Sequence, residues 1–514
     1  MATTAISYCI QGMDAVPVET EALIIEGHDQ MSIIGLADQA VKESADRITA
    51  AITSSGFRIP KNKLIINLAP GDLKKRGAHY DLAITIALLT ESGQIRPLSL
   101  SDTALIGEFS LNGNLRPVNG VLPMVIKAKS SGLAKILVPA ENLPEALLVK
   151  GIDIYGIRTL REAVELLQGN NAVYKFSDTE SIIEEDEKHE EELDFADVRG
   201  QKELVNAVVL AAAGGHNMLM IGSPGCGKSM IAKRIPTILP PMTEDEQLEV
   251  TKIHSIAGLL LNKHSLITTR PFRSPHHNAS LNALIGGGVS AVPGEVSLAH
   301  NGVLFLDEIA EFSRRTLDAL RQPLEDKHVT ISRVSGTNTY PSSFMFVAAM
   351  NPCPCGFYPD KRCRCTDYEV TKYRNSLSGP LMDRIDIQKW VKPVSFFDIA
   401  DSEPSPSSAE LREKVIRARL IQQERLKDYP GINCNAELTG SLIEKFCVLD
   451  HESMDILAEA SRKAGWSARV IKKLLTVART AADIRGSEHI DSEDVIYALS
   501  IRDLDTDNQT MEVV

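Results

Sequence analysis

The chain has 514 residues, 43% of them hydrophobic and 24% charged, with a formal net charge of −13. That length exceeds a single core and implies several domains of ordinary globular composition. It holds no apolar run of membrane-spanning length, and the start from Met1 to Ile6 shows no basic stretch or export-signal core, so a cytoplasmic protein with no membrane contact is expected. The acidic balance is unlike that of a nucleic-acid binder. Much of the excess, however, sits between Asp178 and Glu192, where Glu184-Glu185-Asp186-Glu187 and Glu190-Glu191-Glu192 read as a solvated linker. Basic patches elsewhere remain compatible with the charge.

From the start, Val16 to Ile25 alternates as a strand, Ala37 to Ser54 has helical periodicity, Lys63 to Leu68 is a strand and Asp81 to Leu89 a helix. Leu111-Asn112-Gly113-Asn114-Leu115 reads as a hairpin turn. Three stretches resemble the proteolytic domain of Lon-type proteases, as found at the front of magnesium-chelatase-like AAA+ proteins: Pro70 to Ile84, Leu105 to Gly120 and Gly132 to Asn142. Lon-type catalysis needs a serine nucleophile and a lysine base. Those two positions fall on His79 and Leu122, neither of which can serve. The resemblance implies an α+β Lon-protease-like (ribosomal-S5-like) domain over residues 1–170 without the protease, acting as scaffold or as contact surface for a protein partner. His79 near Asp81 is read as a structural histidine. An acidic linker is expected over residues 171–194.

The segment Asp197-Val198-Arg199-Gly200-Gln201 leads into an expected amphipathic helix, Lys202 to Ala213. Then comes Gly222-Ser223-Pro224-Gly225-Cys226-Gly227-Lys228-Ser229, a full G-x-x-x-x-G-K-[ST] motif between the apolar run Met218–Ile221 and a helix from Met230. Its glycines let backbone N–H groups face phosphates, with the helix N-terminus adding its dipole. Lys228 is placed on the β- and γ-phosphates of ATP and Ser229 on magnesium. The run Val303-Leu304-Phe305-Leu306 delivers Asp307 and Glu308 to a sheet edge, Asp307 for magnesium and Glu308 to orient the attacking water. Between these motifs, Arg270-Pro271-Phe272-Arg273-Ser274-Pro275-His276-His277 and Gly286-Gly287-Gly288 lie in a long insertion. It suits either gripping a phosphate backbone or packing as a surface loop. A β-hairpin is expected over His328–Arg333 and Thr337–Pro341.

Phe344 to Met350 is a further buried strand, ending in Asn351, which can hold the attacking water or the γ-phosphate. Cys353, Cys355, Cys363 and Cys365 follow as two C-x-C pairs, which favour a structural tetrahedral zinc site over redox or idle thiols. Their loop carries Lys361, Arg362, Arg364, Lys372 and Arg374, the best basic patch in the chain. Leu377 to Asp386 resembles the arginine-finger segment of magnesium-chelatase-like ATPases, which puts Arg384 into a neighbouring subunit's nucleotide. Helices are expected from Ser407 to Lys427, from Ser467 to Arg485, and after the cap at Asp491.

This ordered set is that of an α/β AAA+ P-loop ATPase core over residues 195–400 with a helical lid over 401–514. The whole chain resembles the YifB/ComM family of magnesium-chelatase-like proteins. The resemblance implies adenine contacts at Val198 and Gly200, and a lid arginine, Arg469, contacting the γ-phosphate. It also implies a homo-oligomer, a hexameric ring, that hydrolyses ATP with magnesium. Such a ring moves along single-stranded or branched DNA as a branch-migration helicase, promoting recombination of incoming DNA in natural transformation. Three other readings stay open. A metal-chelatase subunit is not expected to carry the cysteines or the first domain, and an ATP-dependent protease is disfavoured by His79 and Leu122. A regulatory or protein-remodelling ATPase suits the acidic charge.

Overall fold

The computed structural model describes residues 2–169, 193–260, 266–288, 291–333, 336–394 and 404–502. The acidic run from Asp178 to Glu192 lies outside them.

The first domain is built on a seven-stranded sheet. Its spatial order is Gln30–Ile34, Lys63–Ala69, Asp14–Ile25, Thr3–Gln11, Thr103–Leu105, Lys135–Pro139 and Asp153–Ile157. The hairpin Thr3–Gln11 with Asp14–Ile25 is antiparallel, whereas Thr103–Leu105, Lys135–Pro139 and Asp153–Ile157 pair in parallel. Side chains alternate between faces, as strand geometry requires. Ala5 and Cys9 join a core with the helices Ser44–Ser54, Asp81–Glu91 and Leu160–Leu167, while Tyr8 joins one with the helix Val121–Ser130. The expected helix over residues 37–54 forms as two pieces, Gln39–Lys42 and Ser44–Ser54. The predicted turn at Leu111–Leu115 joins the short strands Glu108–Phe109 and Leu115–Arg116.

The motor sheet has five strands in the order Phe272–Arg273, Val303–Leu306, Met345–Met350, Met218–Gly222 and Ile387–Val391, all parallel. A parallel sheet covered on both faces reads as continuous apolar runs, and Met218–Gly222, Val303–Leu306 and Met345–Met350 are buried throughout. Alternate residues serve two cores. Met218 and Met220 face the helices Lys202–Gly214 and Lys228–Ile238, and Leu219 and Ile221 face the opposite layer with Leu317 and Leu320.

Two expectations change here. The helix Lys202–Gly214 is not amphipathic along its length: every residue from Ala207 to Gly214 is buried. Lid helices Ser408–Leu426 and Ala468–Arg485 cover the face that a simple surface helix would leave wet. Asp194, assigned to the linker, belongs with the motor. Its carboxylate accepts the Ser408 N–H at 2.9 Å and its carbonyl accepts Arg234 Nε at 2.7 Å.

The first domain is joined to the motor through the entry of helix Val121–Ser130. The Gly120 N–H donates to the Ser255 carbonyl at 3.1 Å, and the Ser255 hydroxyl donates to the Glu145 carboxylate. The hairpin His328–Arg333 with Gly336–Pro341 forms as predicted and approaches Gly12 of the first domain through Thr339.

Candidate functional site

The strand Met218–Gly222, inside the motor sheet between Met345–Met350 and Ile387–Val391, ends at Gly222 and the chain then turns through Gly225 (φ 79°) and Gly227 (φ 90°). These are left-handed positions that glycine occupies at little cost. The helix Lys228–Ile238 starts immediately, aiming its N-terminal amides at the loop. A Cβ on Gly222 would lie 2.6 Å from the Val391 carbonyl oxygen, so only glycine lets the strands and the loop meet here.

Lys228 is folded into this loop. Its ammonium donates to the Gly222 carbonyl at 2.5 Å and the Ser223 carbonyl at 3.1 Å, and lies 3.4 Å from the Asn351 amide oxygen. The Ser229 hydroxyl donates to Asp307 Oδ2 at 2.6 Å, and Asp307 Oδ1 accepts the Glu308 N–H at 3.0 Å. Glu308 holds a left-handed backbone (φ 49°), uncommon outside glycine. Its half-exposed carboxylate faces His277 Nδ1 at 3.8 Å. Three adjacent parallel strands thus bring Lys228, Ser229, Asp307, Glu308 and Asn351 to their carboxyl ends, where open α/β sheets bind ligands.

The approach segment is tied to the same loop by Gln201, a residue that the sequence did not single out. Its side-chain amide donates to the Cys226 carbonyl at 3.2 Å and the Lys392 carbonyl at 2.9 Å. Val198 is buried in the motor core, and Gly200 takes a left-handed φ of 70° just before the helix.

Directly beyond Asn351, the sulfurs of Cys353, Cys355, Cys363 and Cys365 all lie within 4.8 Å of one another. Three of the separations are 3.4, 3.7 and 3.6 Å. A tetrahedral thiolate site with bonds of about 2.3 Å requires sulfurs about 3.8 Å apart, so the cluster fits a metal ion. The backbone N–H groups of Arg364 and Phe357 pull the Cys355 thiol down to about 6, and the Tyr358 N–H donates to Cys353 Sγ. The loop also touches the nucleotide motif: a Cβ on Gly356 would lie 2.7 Å from Pro224 Cδ.

Arg384 is at the other end of the sheet. Its carbonyl accepts Asn217 Nδ2 at 2.9 Å, and Asn217 immediately precedes the strand Met218–Gly222. Five residues at roughly 3.3 Å each separate that point from the P-loop by about 17 Å. The guanidinium donates to the Pro380 carbonyl at 2.5 Å and pairs with Glu325 at 2.6 Å. Asp386, two residues further on, is taken by Lys473, His216 and the Asn217 N–H. Arg469, in the first turn of Ala468–Arg485, pairs with the same oxygen of Glu325. Arg469 is thus held by Glu325 rather than by any residue of its own P-loop. Arg384 and Arg469 line one cavity with Gly215 and Asn217, and no P-loop residue lines it.

Of the two basic stretches noted in the sequence, the arginines of the insertion are engaged internally and the patch after the cysteines is engaged in part. Arg273 makes a two-pronged pair with Glu295 at 2.6 and 2.8 Å, and Arg270 donates to the carbonyls of Pro240 and Asn301 and to Glu246. These contacts favour a packed loop over a phosphate grip. On the cysteine loop Arg362 pairs with Asp360, and Arg374, at the end of the following helix Asp367–Arg374, lies over Tyr358 and Trp390. In the first domain, burial drives the His79 imidazole down to about 4, so it stays neutral while its Nε2 meets the Tyr8 carbonyl at 2.7 Å. Asp81 pairs with Arg47, and Leu122 is buried, so no catalytic couple forms at the two Lon-type positions.

The strand order and the convergent P-loop and acidic strand define an AAA+ P-loop ATPase. Family models agree: residues 194–399 match "Magnesium chelatase, subunit ChlI", 20–142 match "Subunit ChlI of Mg-chelatase", and 405–502 match its C-terminal region. The chain is 40% identical to YifB of Escherichia coli over 96% of both chains. It is 38% identical to competence protein ComM of Haemophilus influenzae, over 96% of this chain and 95% of that one. Residues in the first domain are also similar to Lon protease 2 of Bacillus subtilis, 29% identical over 127 residues, or 24% of this chain and 22% of that one. The chain belongs to the YifB/ComM family of magnesium-chelatase-like AAA+ ATPases. Among the described residues no helix is long and apolar enough to cross a membrane.

Proposed function

We propose that this protein is a cytoplasmic, ATP-hydrolysing ring motor that acts on DNA, as a branch-migration helicase promoting recombination of incoming DNA. One observation carries the reading. The P-loop and the acidic residues Asp307 and Glu308 sit at the carboxyl ends of the motor strands, and Arg384, beside Asn217, sits with Arg469 at the opposite end, about 17 Å along the strand Met218–Gly222. Such halves make a complete phosphate-handling site only when two copies meet head to tail, as in a closed ring.

In this reading Lys228 and the loop amides bind the ATP phosphates, and Glu308 orients the water and takes up its proton. Asn351 holds that water or the γ-phosphate. Ser229 and Asp307, hydrogen-bonded oxygen donors side by side, suit a magnesium ion, whose chemistry is to neutralise phosphate charge. Arg384 and Arg469 stabilise charge in the neighbouring copy's nucleotide. Cys353, Cys355, Cys363 and Cys365 hold a zinc ion that fixes the loop over Pro224, and Val198 and Gly200 border the base. Residues 1–170 form a Lon-like scaffold without protease activity, 195–400 the motor and 401–514 the lid, and six copies close the ring.

The DNA part rests on the YifB/ComM resemblance, on a relative named as a competence protein, and on the exposed Lys361 and Arg364 of the cysteine loop and Lys372 of the helix Asp367–Arg374 that follows it. A protein-remodelling ATPase is the second reading, supported by the internal pairing of Arg270 and Arg273 and by the net charge of −13. Affinity for single-stranded and branched DNA, measured between low and physiological salt, separates them. A DNA motor binds with an affinity that falls steeply as salt rises. Absence of binding to every DNA form at low salt would move the function to a protein substrate.

A further inference from the structure

Glu325 lies in the last turn of the helix Arg321–Asp326, which is followed by Lys327 in a left-handed cap. Its carboxylate is half-exposed and is clasped by two guanidiniums, Arg384 at 2.6 Å and Arg469 on the same oxygen. Arg384, with Arg469 behind it, holds that carboxyl below the usual glutamate range, so it is ionised at neutral pH. Three features mark the place as built for an anion larger than one carboxylate. The Arg384 side chain is 9% exposed, yet its Nε has no hydrogen-bond partner. The cavity of about 480 Å³ beside it also carries Lys327 and Lys472. Lys473, on the same wall, is already neutralised by Asp386. Within this cavity, once Asp386 is set against Lys473, the cations Lys327, Arg384, Arg469 and Lys472 share the carboxylates Glu325 and Glu437, and the Glu437 carboxylate is engaged by the Asn433 N–H at 2.7 Å.

We propose that Glu325 is an intrachain placeholder for the terminal phosphate of a second copy's nucleoside triphosphate. This rests on the reading of Arg384 as a residue acting across a subunit boundary. In the free chain the carboxylate neutralises Arg384 and Arg469 and keeps them ordered. When a neighbour presents its triphosphate, the more highly charged phosphate takes the two guanidiniums and Glu325 is released to solvent. Its half-exposed position lets it leave without unpacking the core. The clasp opposes ring closure until the neighbour carries a triphosphate, because a diphosphate offers no terminal group at that position to replace the carboxylate. Glu325 thereby makes assembly sense nucleotide state, with no bond made or broken.

The test is ATP turnover against protein concentration for the full chain, Glu325→Gln, Glu325→Ala and Arg384→Ala, with oligomer size measured in ATP and in ADP. Two ion pairs to a half-exposed carboxylate, each of modest strength, correspond to a midpoint lowered by about three- to tenfold when Glu325 is neutralised. Both Glu325 variants should reach the unmodified maximal turnover at that lower concentration, and should assemble in ADP where the parent does not. An unchanged midpoint, or lost turnover in fully assembled Glu325→Gln, would overturn the proposal, the latter by making Glu325 part of the working site. Full turnover in Arg384→Ala would instead defeat the trans-arginine reading itself, whatever Glu325 does.

Discussion

Two substitutions at opposite ends of one sheet give the sharpest test of a site shared between copies. Lys228→Ala removes the ammonium that lies in the P-loop, and Arg384→Ala removes the guanidinium of a residue whose backbone meets Asn217 at the far end of the strand Met218–Gly222, some 17 Å along that strand. Each variant alone is expected to be inactive. Loss of an arginine that stabilises transferring phosphate costs about 10³-fold or more, and loss of the P-loop lysine removes phosphate binding. In a mixture, an interface works when its P-loop comes from an Arg384→Ala chain and its arginine from a Lys228→Ala chain. At equal amounts with random assembly those odds are about one half each, so about a quarter of interfaces are restored, whatever the ring size. The assay is steady-state phosphate release from each variant, from the mixture, and from Arg384→Ala mixed with the double variant, where nothing should be restored. A mixture no more active than its parts, in oligomers shown by native mass measurement to contain both chains, would refute the shared site. So would Arg384→Ala with normal turnover.

Glu308→Gln should keep ATP affinity while turnover falls by about 10²-fold or more, because the amide cannot accept the water's proton. Equilibrium nucleotide binding beside phosphate release shows the split, and normal turnover would remove Glu308 from its role. Protein purified without chelator should contain about one zinc per chain, fewer than half an equivalent counting against the cluster. Gly356→Ala should retain that metal yet weaken ATP binding, since its φ of 81° and the 2.7 Å approach to Pro224 force the cysteine loop off the P-loop. Asp483→Ala should destabilise the lid by about 3–5 kcal/mol, read by denaturant unfolding, because it strands buried charge. Asp483 accepts from Arg425 at 3.0 Å, Arg479 at 3.1 Å and Asn435 at 2.7 Å.

What the sequence disclosed was chemistry written in contiguous residues. The P-loop glycines need left-handed backbone, the apolar runs before Asp307 and Asn351 need burial on two faces, and Ser407 and Ser467 cap their helices within one turn. Each of those signals is local, and each element formed where it was expected. Missed features depend on partners distant in the chain. Arg469 and Glu325 are 144 residues apart, and nothing near either announces the pair. Gln201 reaches Lys392 across 191 residues. The sequence left the insertion open between a phosphate grip and a packed loop, and the pairing of Arg273 with Glu295, which favours the packed loop, is a cancellation that composition cannot register. The helix Lys202–Gly214 was misjudged for a related reason, because its outer face is defined by lid helices about two hundred residues downstream.

The most direct test of the whole account is ATP turnover with and without a four-way DNA junction, with Lys228→Ala as the blank. A DNA motor predicts strong stimulation of turnover by the junction and its ATP-dependent resolution into duplexes, both absent in the blank. Turnover indifferent to every DNA form would contradict the account and move the substrate to protein, with the Lon-like domain as the surface on which to seek it.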